Sequence, residues 1–118
     1  MWCSTCCTYR PPRSSHCRMC DCCIDGLDHH CTYLNNCIGS RNYLYYLTFL
    51  ITSVLSLVMI IGTSIWRVLN FHQSNQIGNH PISVSVLVIS SIVLFPITTL
   101  LSYHVYLTFK GLTTVEHI

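Results

Sequence analysis

Two stretches of this chain carry no formal charge, and each is long enough to cross a lipid bilayer. They are residues 44–66, LYYLTFLITSVLSLVMIIGTSIW, and residues 82–109, ISVSVLVISSIVLFPITTLLSYHVYLTF. At about 1.5 Å of rise per residue, either run as a helix covers the roughly 30 Å hydrocarbon layer. Tyr43, Tyr45 and Tyr46 stand at one end of the first run and Trp66 at the other, as interfacial anchors do. A chain of 118 residues has no other material to wrap two such cylinders, which disfavours a pair of buried helices in a soluble protein. The second run exceeds a minimal span, which predicts tilt, a kink at Pro96 or an end emerging from the bilayer. Pro81 suits a first helical position and Gly111 a C-terminal cap. The serines and threonines of both runs (Thr52, Ser53, Ser56, Ser64, Ser90, Ser91, Thr98, Thr99) suit either close helix contact or bonding to their own backbone.

The remainder is small and polar. Residues 1–41 hold four of the six basic residues, all three aspartates and all nine cysteines. Beyond Asn42 the only formal charges are Arg67, Lys110 and Glu116. The expected organisation is a polar cysteine-rich segment at 1–41, spans at 42–66 and 82–109, a connection at 67–81 and a tail at 110–118. Four arginines precede the first span and Lys110 follows the second, so the positive-inside rule places both ends in the cytosol. The connection then faces the lumen or the exterior. Arg10, Arg13, Arg18 and Arg41 are scattered, which argues against a nucleic-acid groove. The N-terminus lacks the charged-then-apolar run of a secretory signal.

Cysteines on the cytosolic side are kept reduced, and an odd number leaves one unpaired, so metal is a better use for them than disulfides. Cys3 and Cys6 have the C-x2-C spacing of a thiolate clasp, and HCRMCDCC supplies His16, Cys17, Cys20, Cys22 and Cys23. His30 and Cys37 complete enough ligands for two tetrahedral zinc ions. A segment this short has little core, so metal supplies much of its folding free energy. His29, His30 and Cys31 cannot easily all serve one ion, because adjacent residues point in different directions. One histidine on metal and the other beside Cys31, with Asp28 fixing its tautomer, is the acid–base–thiol arrangement of cysteine nucleophiles. A ninth, redundant thiolate at Cys31 is the opposing reading, and spacing alone leaves both open.

The pattern C-x2-C-x9-H-C-x2-C-x2-C-x4-D-H-H-C-x5-C runs unbroken from Cys3 to Cys37. It resembles the cysteine-rich domain of the DHHC protein S-acyltransferases, the palmitoyltransferases. TTVE at 113–116 matches a second family motif, and NNCIGSRNY at 35–43 and SYH at 102–104 also look like family sequence. RPPRSSHC together with NNCIGSRNY looks most like the catalytic subunit of the fungal Ras palmitoyltransferase. The family resemblance implies an α-helical membrane protein whose cysteine-rich domain is held by two Zn2+ ions. It assigns Cys3, Cys6, His16 and Cys23 to one and Cys17, Cys20, His30 and Cys37 to the other. It makes Cys31 the nucleophile, His29 the general base and Asp28 its orienting acid, with Thr113 or Thr114 supporting the site. Cys7 and Cys22 fall outside the pattern. Palmitoyl-CoA, or another fatty acyl-CoA, is then the co-substrate, and the acceptor is a membrane-proximal cysteine of a second protein. Arg10, Arg13 and Arg41 are candidate partners for the CoA phosphates. An endoplasmic reticulum or Golgi membrane, Ras-like GTPase substrates and a small accessory subunit follow from the resemblance alone. Positions that match the lining of the family's acyl cavity are Tyr33, Tyr46, Phe49 and Ser56.

The sequence also departs from the family. Thr32, Tyr33 and Leu34 replace the common Pro-Trp-Val, and Tyr45 and Tyr46 replace phenylalanines. Family members typically have four spans with the cysteine-rich domain between the second and third. This sequence begins at that domain and stops after TTVE, so the expectation is two spans without the family's amphipathic C-terminal segment. A zinc-organised membrane adaptor, or an inactive fragment of such an enzyme, is the competing reading. Bulk at Ser56 should shorten the acyl chain accepted: with Ser56→Trp, a competition among acyl-CoAs should shift toward shorter chains, and an unchanged preference would refute the assignment.

Overall fold

The computed structural model describes residues 1–71 and 80–118. Its element order is six short strands followed by three helices: β1 (Trp2–Cys3), β2 (Thr8–Tyr9), β3 (Ser15–Cys17), β4 (Cys22–Ile24), β5 (His29–Cys31), β6 (Asn36–Ile38), α1 (Tyr43–Phe71), α2 (His80–Lys110) and α3 (Thr114–His117). The strands pair consecutively into three antiparallel hairpins, β1–β2, β3–β4 and β5–β6. Such ribbons are too short to hold themselves in water. The apolar cluster among them is Cys17, Leu27 and Cys37 with Ile24 packed against it, which is far too small a core to offset chain entropy.

The chain divides into two compact units. The first contains Met1–Thr48 and His104–Ile118, that is, the hairpins, the tail and the adjoining helix ends. The second is Phe49–Tyr103, the body of the two helices. Both helices are long and apolar enough to cross a membrane, and only 11% and 6% of their most apolar windows are buried. That exposure is unlike the core helices of a soluble protein, which are mostly buried, because so much apolar side chain facing water would be strongly unfavourable. α1 runs beyond the expected end at Trp66, through Arg67 to Phe71; the rest of the expected connection, 72–79, lies outside the described residues. α2 continues through Pro96. Most helix hydroxyls bond to their own carbonyls one turn back, including Ser53 to Phe49, Ser91 to Leu87, Thr98 to Leu94 and Thr99 to Phe95. Ser64 and Ser90 are buried.

In the first unit, local geometry carries the chain from sheet to helix. Gly39 N–H donates to Asn42 Oδ1 at 2.8 Å, and Asn42 Nδ2 donates to the Cys37 carbonyl at 2.9 Å, so Asn42 sets the start of α1 against β6. Ser40 Oγ donates to Asp25 Oδ2 at 2.7 Å and ties the third hairpin to the second. α2 ends as its sequence predicts. Gly111 has φ +66°, Gly111 N–H reaches the Thr108 carbonyl and Leu112 N–H the Leu107 carbonyl, the pattern that closes a helix on a left-handed glycine. The turn then feeds α3, where Thr113 caps the helix and Glu116 returns to the Thr113 backbone N–H, a reciprocal capping box.

Gly39 is held by space rather than by backbone angle: a Cβ there would lie 2.9 Å from the Asp25 carbonyl oxygen and 3.0 Å from Ile24 Cγ2. Gly39→Ala should therefore cost about 1–3 kcal/mol of overpacking, read as a lowered melting temperature of the metal-loaded protein. A melting curve that superposes on that of the parent would contradict this packing.

Candidate metal centres and thiol site

The three hairpins are variations on one fourteen-residue plan. Cys3, Cys17 and Cys31 occupy the same strand position, and each hairpin turns through a left-handed residue four places later: Cys7 (φ 49°), Asp21 (φ 51°) and Asn35 (φ 47°). The cross-strand pair before each of these cysteines also recurs, as Trp2↔Tyr9, His16↔Cys23 and His30↔Cys37. The first hairpin thus has a C-x2-C clasp but an aromatic pair in place of ligands, with Trp2 and Tyr9 edge to face at 4.9 Å. The second has both the clasp, Cys17 and Cys20, and the pair, His16 and Cys23. The third has the pair, His30 and Cys37, but Leu34 stands where the second cysteine of its clasp would be.

Each clasp meets the pair of the following hairpin. Cys3, Cys6, His16 and Cys23 form one group, and Cys17, Cys20, His30 and Cys37 another. In the first, His16 Nδ1 lies 3.7, 3.4 and 3.9 Å from the sulfurs of Cys3, Cys6 and Cys23, and Cys6 and Cys23 are 3.7 Å apart. In the second, His30 Nδ1 lies 3.7, 3.4 and 3.5 Å from Cys17, Cys20 and Cys37, and Cys20 and Cys37 are 3.4 Å apart. The edges of a zinc tetrahedron are about 3.8 Å between sulfurs and about 3.6 Å from sulfur to nitrogen, so both groups have the right size. All nine cysteines are free thiols.

The charges fit a divalent cation as well. Burial, with hydrogen bonds from Cys17 and Cys20, pushes the Cys37 thiol up to about 12, and burial pushes Cys23 up to about 11. A backbone hydrogen bond at Cys6 brings Cys3 down to about 6. Thiols so divided cannot ionise together unless a cation joins them. Three thiolates and one Zn2+ leave a net negative charge, and Arg10 answers it at the first site. Its Nε is buried without a partner among the described residues, and the Cys3 sulfur, its strongest neighbour, raises its pKa further.

Strand alternation divides the remaining residues. His30 points to the second metal group, so His29 and Cys31, its neighbours on β5, share the opposite face. Cys31 is buried and belongs to neither metal group. His29 Nδ1 lies 2.7 Å from Asp28 Oδ2 and donates to it, which leaves Nε2 as the imidazole's basic nitrogen. Asp28 is fully buried. Burial alone would raise its pKa, but hydrogen bonds from His29 and from the N–H and hydroxyl of Thr114 outweigh it and bring it below the usual carboxylate range. Thr114 N–H reaches Oδ1 at 2.9 Å and Thr114 Oγ1 reaches Oδ2 at 2.8 Å. The tail therefore completes the site from 86 residues away. Arg13 secures the tail in turn: Nε and Nη2 grip Glu116 at 2.8 and 2.7 Å, and Nη2 also reaches the Gly111 carbonyl. The Arg13 bonds hold the Glu116 carboxyl down to about 2, so this clamp is complete at neutral pH and is lost only as pH falls toward that value.

A scan against protein-family models matches the DHHC palmitoyltransferase model over residues 1–118. The chain belongs to the DHHC palmitoyltransferase family. It is similar to palmitoyltransferase ZDHHC8 of Canis lupus familiaris, 39% identical over 117 residues, which are 99% of this chain and 15% of that protein. It is 38% identical to palmitoyltransferase ZDHHC5-B of Danio rerio over 99% of the chain and 18% of that protein. Against palmitoyltransferase ZDHHC8 of Homo sapiens it is again 38% identical, over 15% of that protein. The chain thus spans less than a fifth of the length of these relatives.

Around the DHHC motif, the remaining residues singled out from the sequence take different places. Tyr46 is buried with its ring 5.2 Å from that of His29, whereas Tyr33 at the tip of the third hairpin is 99% exposed. Phe49 and Ser56 lie exposed on α1 within the helical unit. Thr114 faces Asp28, and Thr113 serves as the cap of α3. Arg10 and Arg13 are engaged by Cys3 and Glu116, which leaves Arg41 exposed. Sequence reasoning missed His104. It is 2% exposed, with its ring 5.7 Å from that of His29 and 5.1 Å from that of Tyr46, and Tyr43 Oη lies 3.2 Å from its Nδ1. The only signal for it was the SYH at 102–104.

Thr114→Val removes a hydroxyl donor from a buried carboxylate, a bond worth about 1.5–3 kcal/mol. Alkylation of the Cys31 thiol by iodoacetamide, followed by mass spectrometry, should slow by roughly 10- to 100-fold with no change in metal content. A rate within twofold of the parent would show that this bond does not support the site.

Proposed function

We propose that this chain carries the acyl-transfer site of a protein S-palmitoyltransferase. The observation that supports it best is the Asp28–His29 bond of 2.7 Å on the strand face shared with Cys31, a thiol outside both metal groups. His29 Nε2 takes the proton of the Cys31 thiol, and the thiolate attacks the carbonyl carbon of a fatty acyl-CoA thioester. The acyl group becomes bonded to the Cys31 sulfur, and CoA leaves as its thiol with the proton returned from His29. A cysteine of a second protein then attacks the acyl-Cys31 thioester, with His29 again moving the proton. One thioester is exchanged for another of nearly equal energy, so positioning and a good thiolate supply most of the rate. Ionised Asp28 holds His29 in the Nδ1–H tautomer and favours the imidazolium that forms. Cys3, Cys6, His16 and Cys23, and Cys17, Cys20, His30 and Cys37, would each hold one Zn2+, which would supply structure rather than a reaction step.

The membrane suits this chemistry. An acyl chain gains about 0.8 kcal/mol per CH₂ in lipid while the CoA headgroup needs water, so the thiol works best at the bilayer surface. Cys31 precedes α1 by one hairpin strand and a turn, which is consistent with that depth. A cytosolic face, an endoplasmic reticulum or Golgi membrane, Ras-like substrates and a small accessory subunit belong to the same proposal.

Incubation with an alkyne-bearing palmitoyl-CoA should give a hydroxylamine-sensitive adduct on Cys31 that Cys31→Ser lacks while retaining two equivalents of zinc. Loss of zinc in Cys31→Ser would make Cys31 a ligand. Full zinc with no adduct in the parent would favour the zinc-organised adaptor.

A further inference from the structure

Both cysteine clasps are completed by donors from the hairpin that follows. The third hairpin has no such successor and lacks the second thiolate, yet another set of donors gathers beside it. Asp28, His29 and His104 each offer one ligand atom, and these atoms all lie within 4.8 Å of one another. Asp28 Oδ2 is 2.7 Å from His29 Nδ1 and 3.9 Å from His104 Nδ1. Asp28 and His104 are buried and His29 is partly so. Two imidazoles and one carboxylate are the donors of many three-ligand zinc sites, which keep a further position for water. Supporting groups are in place: Thr114 N–H fixes the far carboxylate oxygen, and Tyr43 Oη, next to His104 Nδ1, has the His104 carbonyl as a second acceptor at 3.3 Å.

We propose that Asp28, His29 and His104 form a third site for Zn2+, weaker than the two cysteine sites, and that its occupancy blocks the chemistry of Cys31. The site has no thiolate among these three donors, so it fills only after the softer sulfur sites. An ion there takes the Nδ1 lone pair of His29 and breaks the hydrogen bond that orients the ring. His104, on α2, thereby links the transmembrane helix to the reactive face of the third hairpin through a shared ligand. The metal site stands on geometry alone. Its inhibitory effect rests on the acyl-transfer reading, and the two are measured separately.

The protein, purified in lipid nanodiscs with two equivalents of zinc, is titrated with Co2+. A third equivalent should bind with weak visible d–d absorption and no growth of thiolate-to-cobalt charge transfer. His104→Gln should lose that equivalent and retain two zincs; His104→Asn serves if the glutamine variant fails to hold them. In a parallel assay, added Zn2+ should slow adduct formation on Cys31 at least tenfold in the parent and less than twofold in the His104 variant. A stoichiometry that stays at two, or a third equivalent that survives both His104→Gln and His29→Gln, overturns the site. A third equivalent that binds without slowing the adduct overturns the inhibition.

Discussion

Each hairpin of this molecule meets the next across a metal-sized group of donors. Neither group draws all four of its donors from one hairpin. The first gives a clasp, the third gives a histidine–cysteine pair, and the middle one gives both. Two ions held in these groups would join three ribbons, none of which has the apolar surface to stand alone. Alternation along the strand makes the interleaving possible: His16 and Cys17 are adjacent and point apart, and so they serve different ions.

The same plan explains why Cys31 is spared. Cys31 stands in register with Cys3 and Cys17, both of them clasp residues, and Leu34 stands in register with Cys6 and Cys20. The nucleophile candidate is the surviving half of a clasp whose partner position is apolar. Its neighbour His29 occupies a place where the second hairpin has Ser15, so the acid–base pair is an addition peculiar to the third repeat.

The spans and a pool of metal donors were legible in the sequence, whereas the division of that pool into two groups of four came from the family resemblance and not from spacing. A charge-free run of bilayer length has few alternatives, and thiolate spacing is a narrow signal. Spacing alone left Cys31 open between nucleophile and ligand, because it counts cysteines without showing which way each strand residue points. The fourteen-residue repeat escaped notice because the first hairpin hides it behind Trp2 and Tyr9, and the third behind Leu34. His104 was not legible as a neighbour of His29, since 74 residues and the whole of α1 intervene and nothing local marks a long-range contact. Arg10 and Arg13 read as surface charges because a sequence does not reveal that thiolates and a carboxylate wait for them.

An array that hands ligands forward has no intrinsic end, since another ribbon could always follow. Here Asn42 starts α1 at Tyr43, a few residues after β6 closes at Ile38. A helix has no cross-strand pair to offer, so the series stops where the membrane begins. The entry of the chain into lipid is thus also the terminator that keeps a third bridge from forming and consuming Cys31.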